Sequence, residues 1–290
     1  MKLFSLIPLF LLSLSTAHAH RPYIPTHHVT VKKGDIHQGV QFPEGSTLTL
    51  ISSSGVVASA TLSRDFKMNG HLLKEGSSLS IWGNGALFEL SPVSGQRIGD
   101  IEFQAGEANL RFTSKGILEN ASLHTDKEIH GYRFAKNMNL EFHPNGKVSR
   151  GYLAEEQLKN GLKLKANSEI RFFPTEQIQV AKLSGESGVG AYRVKGDQNP
   201  ANASDIEFYL NGRLKTAILS QNAVIDGYRC GPGNIVFFES GKIKELTLGE
   251  DRVVKLHPYR DQSAVEKSAR AGDRINLSED GRVMGWSSSR

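Results

Sequence analysis

The 290-residue chain contains one cysteine, four methionines and few long apolar runs. The single cysteine, Cys230, cannot form an intramolecular disulfide bond, so the fold has to be held by packing in any compartment. No Gly-rich phosphate loop, nucleophile elbow or Cys/His group with metal-ligand spacing is present, so the sequence indicates no particular class of enzyme. The balance of 35 basic to 30 acidic residues is too even to predict nucleic acid or a membrane as the partner.

The one apolar run lies at the amino terminus. Lys2 precedes the run Leu3 to Leu14, and Ala17-His-Ala19 has the form of a cleavage site. The run is too short to span a bilayer, and no later stretch could do so. We therefore expect residues 1–19 to be a signal peptide and the mature, soluble chain to begin at His20. No cysteine follows the run, which argues against a lipid anchor, and the expected location is a bacterial periplasm or beyond.

What the sequence does contain is glycine, 29 residues in all, arranged in a repeat. The stretch Phe142-His-Pro-Asn-Gly-Lys-Val148 returns about every thirty residues, with an apolar residue four positions before the glycine and another two positions after it. The anchor position is occupied in turn by Gly55, Gly85, Gly116, Gly146, Glu176, Gly212, Gly241 and Gly281. This pattern predicts about eight units in a single domain over residues 39–290, after an irregular amino-terminal arm at 20–38 that includes a short strand around Val29 to Val31.

The central turn decides the fold class. In His143-Pro-Asn-Gly146, proline and asparagine suit a type I turn, and glycine then supplies the left-handed residue of a bulged hairpin. Such a hairpin places Phe142 opposite Val148 on one face. We therefore predict an all-β antiparallel meander with about three short strands per unit. A three-sided β-helix is the alternative, but its corners have no need of a Pro-Asn-Gly turn.

Three parts of the array break the pattern. The unit at Glu176 lacks the turn glycine, so we expect a longer or open turn there. Polar insertions occupy residues 195–205 and 257–272, and Ser263 to Arg270 is predicted to form a short helix. Insertions of this kind are commonly tolerated surface loops, although repeat proteins also add binding sites there.

The turn sequences resemble those of a known repeat. Phe208-Tyr-Leu-Asn-Gly-Arg-Leu-Lys215 and Phe142 to Val148 resemble the bacterial variant of the MORN repeat and the hairpins of YwqK-type antitoxin-like proteins. The resemblance covers only the central turn of each unit. The units here are longer, and their tail, seen at Ala60-Thr-Leu62, is not part of that motif. The resemblance implies a β-repeat scaffold with a binding or structural role and brings no catalytic residues with it.

Histidines cluster at the predicted mature terminus. His20 would carry a free α-amine beside its imidazole, and His27, His28 and His37 follow. Nitrogen ligands of these two kinds suit Cu(II), and copper-dependent polysaccharide monooxygenases use such an arrangement. A copper site is therefore one hypothesis; the other is that these residues belong to the processing region and bind nothing. Otherwise no cofactor is expected.

Tyrosine and arginine recur together as a pair. The pairs are Tyr132-Arg133, Tyr192-Arg193, Tyr228-Arg229 and Tyr259-Arg260. If exposed together they would form an aromatic and cationic stripe able to bind a glycan or an acidic polymer. Alternatively, the tyrosines pack on neighbouring strands and the arginines are solvated. Cys230 occupies an inward apolar slot of its unit and is predicted to be buried.

These observations together favour one function over another. The expected function is that of an exported, non-enzymatic structural or binding module of the bacterial envelope, with an envelope protein or polysaccharide as partner and no nucleic acid. The alternative is a carbohydrate- or copper-active envelope enzyme that uses the histidine cluster.

Overall fold

The computed structural model describes residues 24–196, 205–257 and 264–288. The predicted signal peptide, His20 and the pair at 259–260 lie outside these residues. Every element within them is a β-strand, as the repeat predicted. In chain order the strands are β1 (Thr26–Thr30), β2 (Thr47–Ile51), β3 (Val57–Thr61), β4 (Phe66–Met68), β5 (His71–Leu73), β6 (Ser78–Ile81), β7 (Leu87–Ser91), β8 (Gln96–Ile98), β9 (Ile101–Phe103), β10 (Ala108–Phe112), β11 (Leu118–Leu123), β12 (Lys127–Ile129), β13 (Tyr132–Phe134), β14 (Asn139–Phe142), β15 (Val148–Tyr152), β16 (Gln157–Lys159), β17 (Leu162–Leu164), β18 (Glu169–Phe172), β19 (Ile178–Ala181), β20 (Ser187–Val189), β21 (Tyr192–Val194), β22 (Ile206–Phe208), β23 (Leu214–Leu219), β24 (Ala223–Ile225), β25 (Tyr228–Cys230), β26 (Gly233–Phe237), β27 (Ile243–Thr247), β28 (Arg252–Leu256), β29 (Val265–Ala269), β30 (Arg274–Leu277) and β31 (Val283–Ser287).

The strands divide into a main sheet and a set of short hairpins. The main sheet is an antiparallel meander of 17 strands that follows the chain. The hairpin β20–β21 joins it through the Val194–Leu219 pair and β28–β29 joins it through the parallel Leu256–Val283 pair, which makes 21 strands in all. The strands of the meander pair in the order β1, β2, β3, β6, β7, β10, β11, β14, β15, β18, β19, β22, β23, β26, β27, β30 and β31. The meander prediction is thus confirmed, and the β-helix alternative is not what forms.

Each regular unit has four strands, so the expectation of about three is wrong. Two of the four strands belong to the main-sheet meander, and the other two form a short hairpin. These hairpins are β4–β5, β8–β9, β12–β13, β16–β17, β20–β21 and β24–β25. In the β12–β13 hairpin, His130 and Gly131 have φ values of 51° and 78°. Two consecutive left-handed residues are what a two-residue hairpin turn needs. From the sequence alone this turn is visible only as a glycine near the start of a unit.

The central turns of the main sheet have the predicted bulged geometry. The His143 N–H donates to the Lys147 carbonyl oxygen at 2.8 Å, and the Gly146 N–H donates to the His143 carbonyl oxygen at 2.8 Å. Phe142 pairs with Val148 across the resulting register shift. Gly146 has a φ of 82°, and the six other anchor glycines have φ values between 65° and 89°.

The expectation of an irregular turn at Glu176 is wrong. Glu176 itself adopts the left-handed conformation, with a φ of 67°, and its N–H donates to the Phe173 carbonyl oxygen at 2.9 Å. That conformation costs a residue with a Cβ about 1–2 kcal/mol. The Glu176 carboxylate lies 3.1 Å from a ring nitrogen of His130 and 3.4 Å from the Lys147 ammonium, and these contacts help to hold the turn.

The carboxy-terminal insertion holds a strand where a helix was predicted. Val265–Ala269 forms β29 and pairs antiparallel with Arg252–Leu256 over five residue pairs. Local composition suited a helix, but pairing with the preceding strand fixed the outcome. In the amino-terminal arm, Thr26–Thr30 pairs with β2, so the strand there begins earlier than predicted.

The core lies between the two layers. Leu140, Phe142 and Val148 of the main sheet face Ile129 and Phe134 of a short hairpin, and all five are buried. Burial of one such side chain stabilises the fold by about 1.5–3 kcal/mol relative to exposure. Because strand side chains alternate, the middle residue of each short strand points away from this core.

Candidate binding surfaces

The exposed face of the short hairpins carries a repeated charge. The middle residues of each hairpin's two strands lie opposite each other, and one of the two is basic in every hairpin. The pairs are Lys67 with Leu72, Arg97 with Glu102, Glu128 with Arg133, Leu158 with Lys163, Gly188 with Arg193, and Val224 with Arg229. We call the six basic residues the cation row: Lys67, Arg97, Arg133, Lys163, Arg193 and Arg229.

The backbone of four residues of the cation row is fixed in the same way from unit to unit. The carbonyl oxygen of the basic residue accepts a hydrogen bond of 2.8–3.0 Å from the N–H that opens the following junction. The donors to Arg133, Lys163, Arg193 and Arg229 are Ala154, Ser184, Ser220 and Gly249, respectively. These four side chains therefore leave equivalent backbone positions on the second strand of each hairpin. Lys67 and Arg97 lie opposite that position, on the first strand of their hairpins. All six residues of the row are exposed.

Most of the row has no counter-charge. Within the part of the chain that the structure describes, no carboxylate lies within ion-pair distance of Lys67, Arg133, Lys163 or Arg193. The other two cations are paired: Arg229 lies 3.3 Å from a Glu250 oxygen, and Arg97 lies 3.9 Å from one of Glu102.

The tyrosines of the Tyr-Arg pairs point the other way. Neighbouring residues of a strand face opposite sides of the sheet, so each arginine is exposed where its tyrosine turns inward. Tyr132 meets the Phe172 ring edge-on, with 4.8 Å between ring centroids. Burial raises the pKa of Tyr132. The structure thus separates Tyr132 from Arg133, and no shared aromatic and cationic stripe forms at this pair.

The remaining described pairs behave alike. Tyr192 stacks on Phe237 with 5.6 Å between centroids, and its pKa is raised by burial and then by the charge of Asp226. The Tyr228 ring lies 4.6 Å beneath the guanidinium of Arg252. Arg193 and Arg229 are exposed on the other side of their strands and belong to the cation row.

The opposite face, on the outside of the main sheet, carries neutral polar side chains in one part and ion pairs in another. Its amino-terminal half presents a row of hydroxyl and amide side chains: Thr30, Thr47, Thr61, Ser78, Ser91, Asn109, Ser122 and Asn139. Farther along, Arg150 lies 2.6 Å from Glu169, and Arg171 also lies 2.6 Å from that carboxylate. Burial would raise the pKa of Glu169, but the hydrogen bonds from the two arginines outweigh it and hold the pKa below its usual value.

The three predicted metal ligands within the described residues, His27, His28 and His37, do not converge. The His27 ring lies 3.3 Å from the Ser52 hydroxyl and the His28 ring 3.1 Å from that of Thr49. Being neighbours in β1, the two imidazoles face opposite sides of the sheet, and His37 lies on a separate loop bridged to Val40. Over residues 24–196, 205–257 and 264–288, no group of three or more His, Cys, Asp or Glu could hold a metal ion.

One charged cluster has no counterpart in the sequence pattern. His130 lies between Asp100 at 3.3 Å and Glu176 at 3.1 Å, within ion-pair distance of each but not aligned for a hydrogen bond to either. The Lys147 ammonium lies 3.0 Å from Asp100. Its hydrogen bond, followed by the contact with His130, holds the pKa of Asp100 below its usual value. The cluster joins residues far apart in the chain, so only the fold reveals it, and it ties neighbouring units together.

Cys230 is buried, as predicted. Burial raises the pKa of its thiol to about 11, with a smaller contribution from Asp226. A thiol with this pKa is protonated at neutral pH and is a poor nucleophile. Cys230 is therefore part of the core.

Comparison with known proteins adds no family. No protein-family model matches the chain, and none of the curated proteins matches it. Among the described residues there is no helix long and apolar enough to cross a membrane.

Proposed function

We propose that this protein is exported to the bacterial envelope and serves there as a non-enzymatic binding or structural module. The apolar leader at residues 3–14 and the Ala17-His-Ala19 site support export. The likeness of the turns to bacterial MORN-type repeats supports a scaffold role.

The regular presentation of side chains on two faces carries the proposal. Each added unit repeats the exposed positions of the one before it, and backbone hydrogen bonds such as Ala154 to Arg133 hold them in place. Repeated weak contacts on a rigid support combine into strong overall binding, provided that the partner is itself extended or repetitive. A long polymer or a fibrous assembly of the envelope meets that condition.

The chemistry of the described residues agrees with binding more than with turnover. The closest acid–base grouping, around His130, is an ion-pair cluster that joins units, and Lys147 holds one of its carboxylates in the charged form. The only cysteine is buried with a raised pKa. The outer arginines and glutamates neutralise each other.

Fractionation of a bacterial host that expresses the full chain tests this proposal. We expect the periplasmic or extracellular fraction to contain a mature chain that begins at His20, as determined by mass spectrometry. The purified mature chain should sediment with isolated envelope fragments, and a chain expressed without residues 1–19 should stay in the cytoplasm. Recovery of the uncleaved full chain in the cytoplasm, or a mature chain that stays in solution beside the fragments, would contradict the proposal.

A further inference from the structure

We infer that the cation row is a linear binding track for an acidic polysaccharide. This rests on the proposed function, because it names the partner and the face that such a binding module uses. The row consists of the six basic residues defined above, one on each short hairpin.

The row has a regular spacing. Successive short hairpins cover successive pairs of main-sheet strands, and neighbouring strands lie about 4.8 Å apart. Cations at equivalent positions of successive hairpins, such as Arg133, Lys163, Arg193 and Arg229, therefore lie roughly 10 Å apart along the array. Hairpins are also joined directly: the Gln157 side chain bonds to both the N–H and the carbonyl oxygen of Arg133, at 3.1 and 3.0 Å. The cations are therefore held in sequence by the backbone, and the ligand they fit is a chain with periodic negative charge.

Charge complementarity distinguishes this face from the opposite one. The middle positions of the six hairpins hold six cations and two carboxylates, Glu102 and Glu128. On the outer face of the main sheet several cations have partners: Arg274 lies 3.2 Å from Glu245, and Lys215 lies 3.0 Å from Glu207. A polyanion would meet four cations on the hairpin face that are unpaired within the described residues, whereas these outer-face cations are already paired with carboxylates.

The amino-terminal end of the row widens into a pocket. The pocket has a volume of about 530 Å³, and Lys33 and Arg64 line it together with Lys67. The nearby Asp65 carboxylate is already paired with other groups: it lies 2.9 Å from the Lys74 ammonium and accepts a hydrogen bond of 2.9 Å from the Glu75 N–H. Besides Asp65 the lining includes one further carboxylate, Glu44, so the pocket at the start of the row holds three cations and two carboxylates.

The shape of the row favours a flexible polymer over a flat surface. Adjacent strands of a sheet are rotated by about 20–25°, so the direction of the cations turns by roughly 45° from one unit to the next. A planar lipid surface could touch only two or three of them at once, but a flexible chain can follow all six. Double-stranded DNA carries about one charge per 1.7 Å of its axis, much denser than the row. The more sparsely charged acidic polysaccharide matches the spacing better.

Binding of the mature chain to polygalacturonate tests the inference. A triple variant, Arg133→Gln with Lys163→Gln and Arg193→Gln, removes three unpaired cations from consecutive hairpins. Exposed charge contacts are weak singly, so we expect the three losses together to weaken binding about three- to hundredfold. Binding of the native chain should also weaken as NaCl is raised from low to physiological concentration.

A matched control removes the same charge from the other face. Arg111→Gln with Lys215→Gln and Arg274→Gln should leave the affinity for polygalacturonate within about twofold, because screening limits the reach of distant charges. The lysine variant Arg133→Lys with Arg193→Lys should retain most of the binding. All replaced side chains lie outside the core, so the circular dichroism spectrum of each variant should match that of the native chain.

Several results would overturn the inference. Equal losses from the two triple variants would show that binding depends on net charge alone. An absence of binding to polygalacturonate would exclude an acidic polysaccharide as the ligand. Stronger binding to phosphatidylglycerol vesicles or duplex DNA, lost in the hairpin-face variant, would assign the row to a membrane or to nucleic acid. The proposed function fails separately: it fails if the mature chain does not associate with envelope fragments, and it survives if both triple variants still sediment with them.

Discussion

Two glycine substitutions at equivalent turns separate backbone strain from steric overlap. Gly146 and Gly116 both occupy the left-handed position, with φ values of 82° and 77°. A Cβ placed on Gly146 meets nothing within 4 Å. Gly146→Ala therefore introduces only the backbone penalty, about 1–2 kcal/mol.

At Gly116 the same change also creates an overlap. The new Cβ would lie 2.7 Å from Cγ of Asn69 and would overlap its Cβ as well. Asn69 cannot easily move aside, because its Oδ1 accepts a hydrogen bond of 2.8 Å from the Leu87 N–H. Overpacking of this kind typically costs about 1–3 kcal/mol, so Gly116→Ala should destabilise the protein by roughly 2–5 kcal/mol in total.

Urea unfolding followed by circular dichroism measures both changes. The midpoints should fall in the order native, Gly146→Ala, Gly116→Ala, with similar denaturant slopes so that the shifts report stability. Adding Asn69→Gly to Gly116→Ala should recover part of the loss, because glycine suits the left-handed φ of 47° at residue 69 and removes the overlapping atoms. If Gly116→Ala costs no more than Gly146→Ala, the packing of the short hairpin against this turn is not as described.

Further predictions concern the core and the ion pairs. Phe172→Ala, in the middle of the array, should lower the free energy of unfolding by about 3–5 kcal/mol, and Leu277→Ala, in the terminal unit, should lower it less; equal losses in urea unfolding would contradict a linear array. The pKa of Glu169 is lowered in the folded state, so its carboxylate contributes stability above its usual pKa of 4.5, and that stability is lost as the pH falls through the folded value. In the Glu169→Gln variant the thermal unfolding midpoint should therefore decrease less steeply as the pH is lowered below 4.5. If the decrease is the same as in the native protein, the pairs of Glu169 with Arg150 and Arg171 do not stabilise the fold.

The repeat, the class of fold and the main turns could be predicted because they are local. Phe142, Gly146 and Val148 lie within seven residues, and the bulged turn fixes their pairing with no help from the rest of the chain. Cys230 could be placed in the core because it stands in an apolar slot of the repeat. In each case a short pattern was sufficient, and the repetition of that pattern removed ambiguity.

The faces of the short hairpins could not be assigned without the tertiary structure. Tyr132 and Arg133 are neighbours in sequence and suggested a joint site, but a strand sends them to opposite sides, and only the packing of the hairpin on the main sheet decides which side is buried. Once that side is known, the arginines are seen to share the exposed hairpin face with Lys67, Arg97 and Lys163, which belong to no Tyr-Arg pair.

Tertiary contacts decided the conformation at two places where local sequence preference gave the wrong prediction. Glu176 accepts a left-handed turn because His130 and Lys147, brought from other hairpins, hold its carboxylate. Val265–Ala269 is a strand because Arg252–Leu256 is available to pair with it. The amino-acid pattern therefore determined the turns and the repeat through interactions within a few residues. The charged row and the His130 cluster were decided by pairing and packing between residues about thirty positions apart or more, because only the folded array brings those side chains to their places.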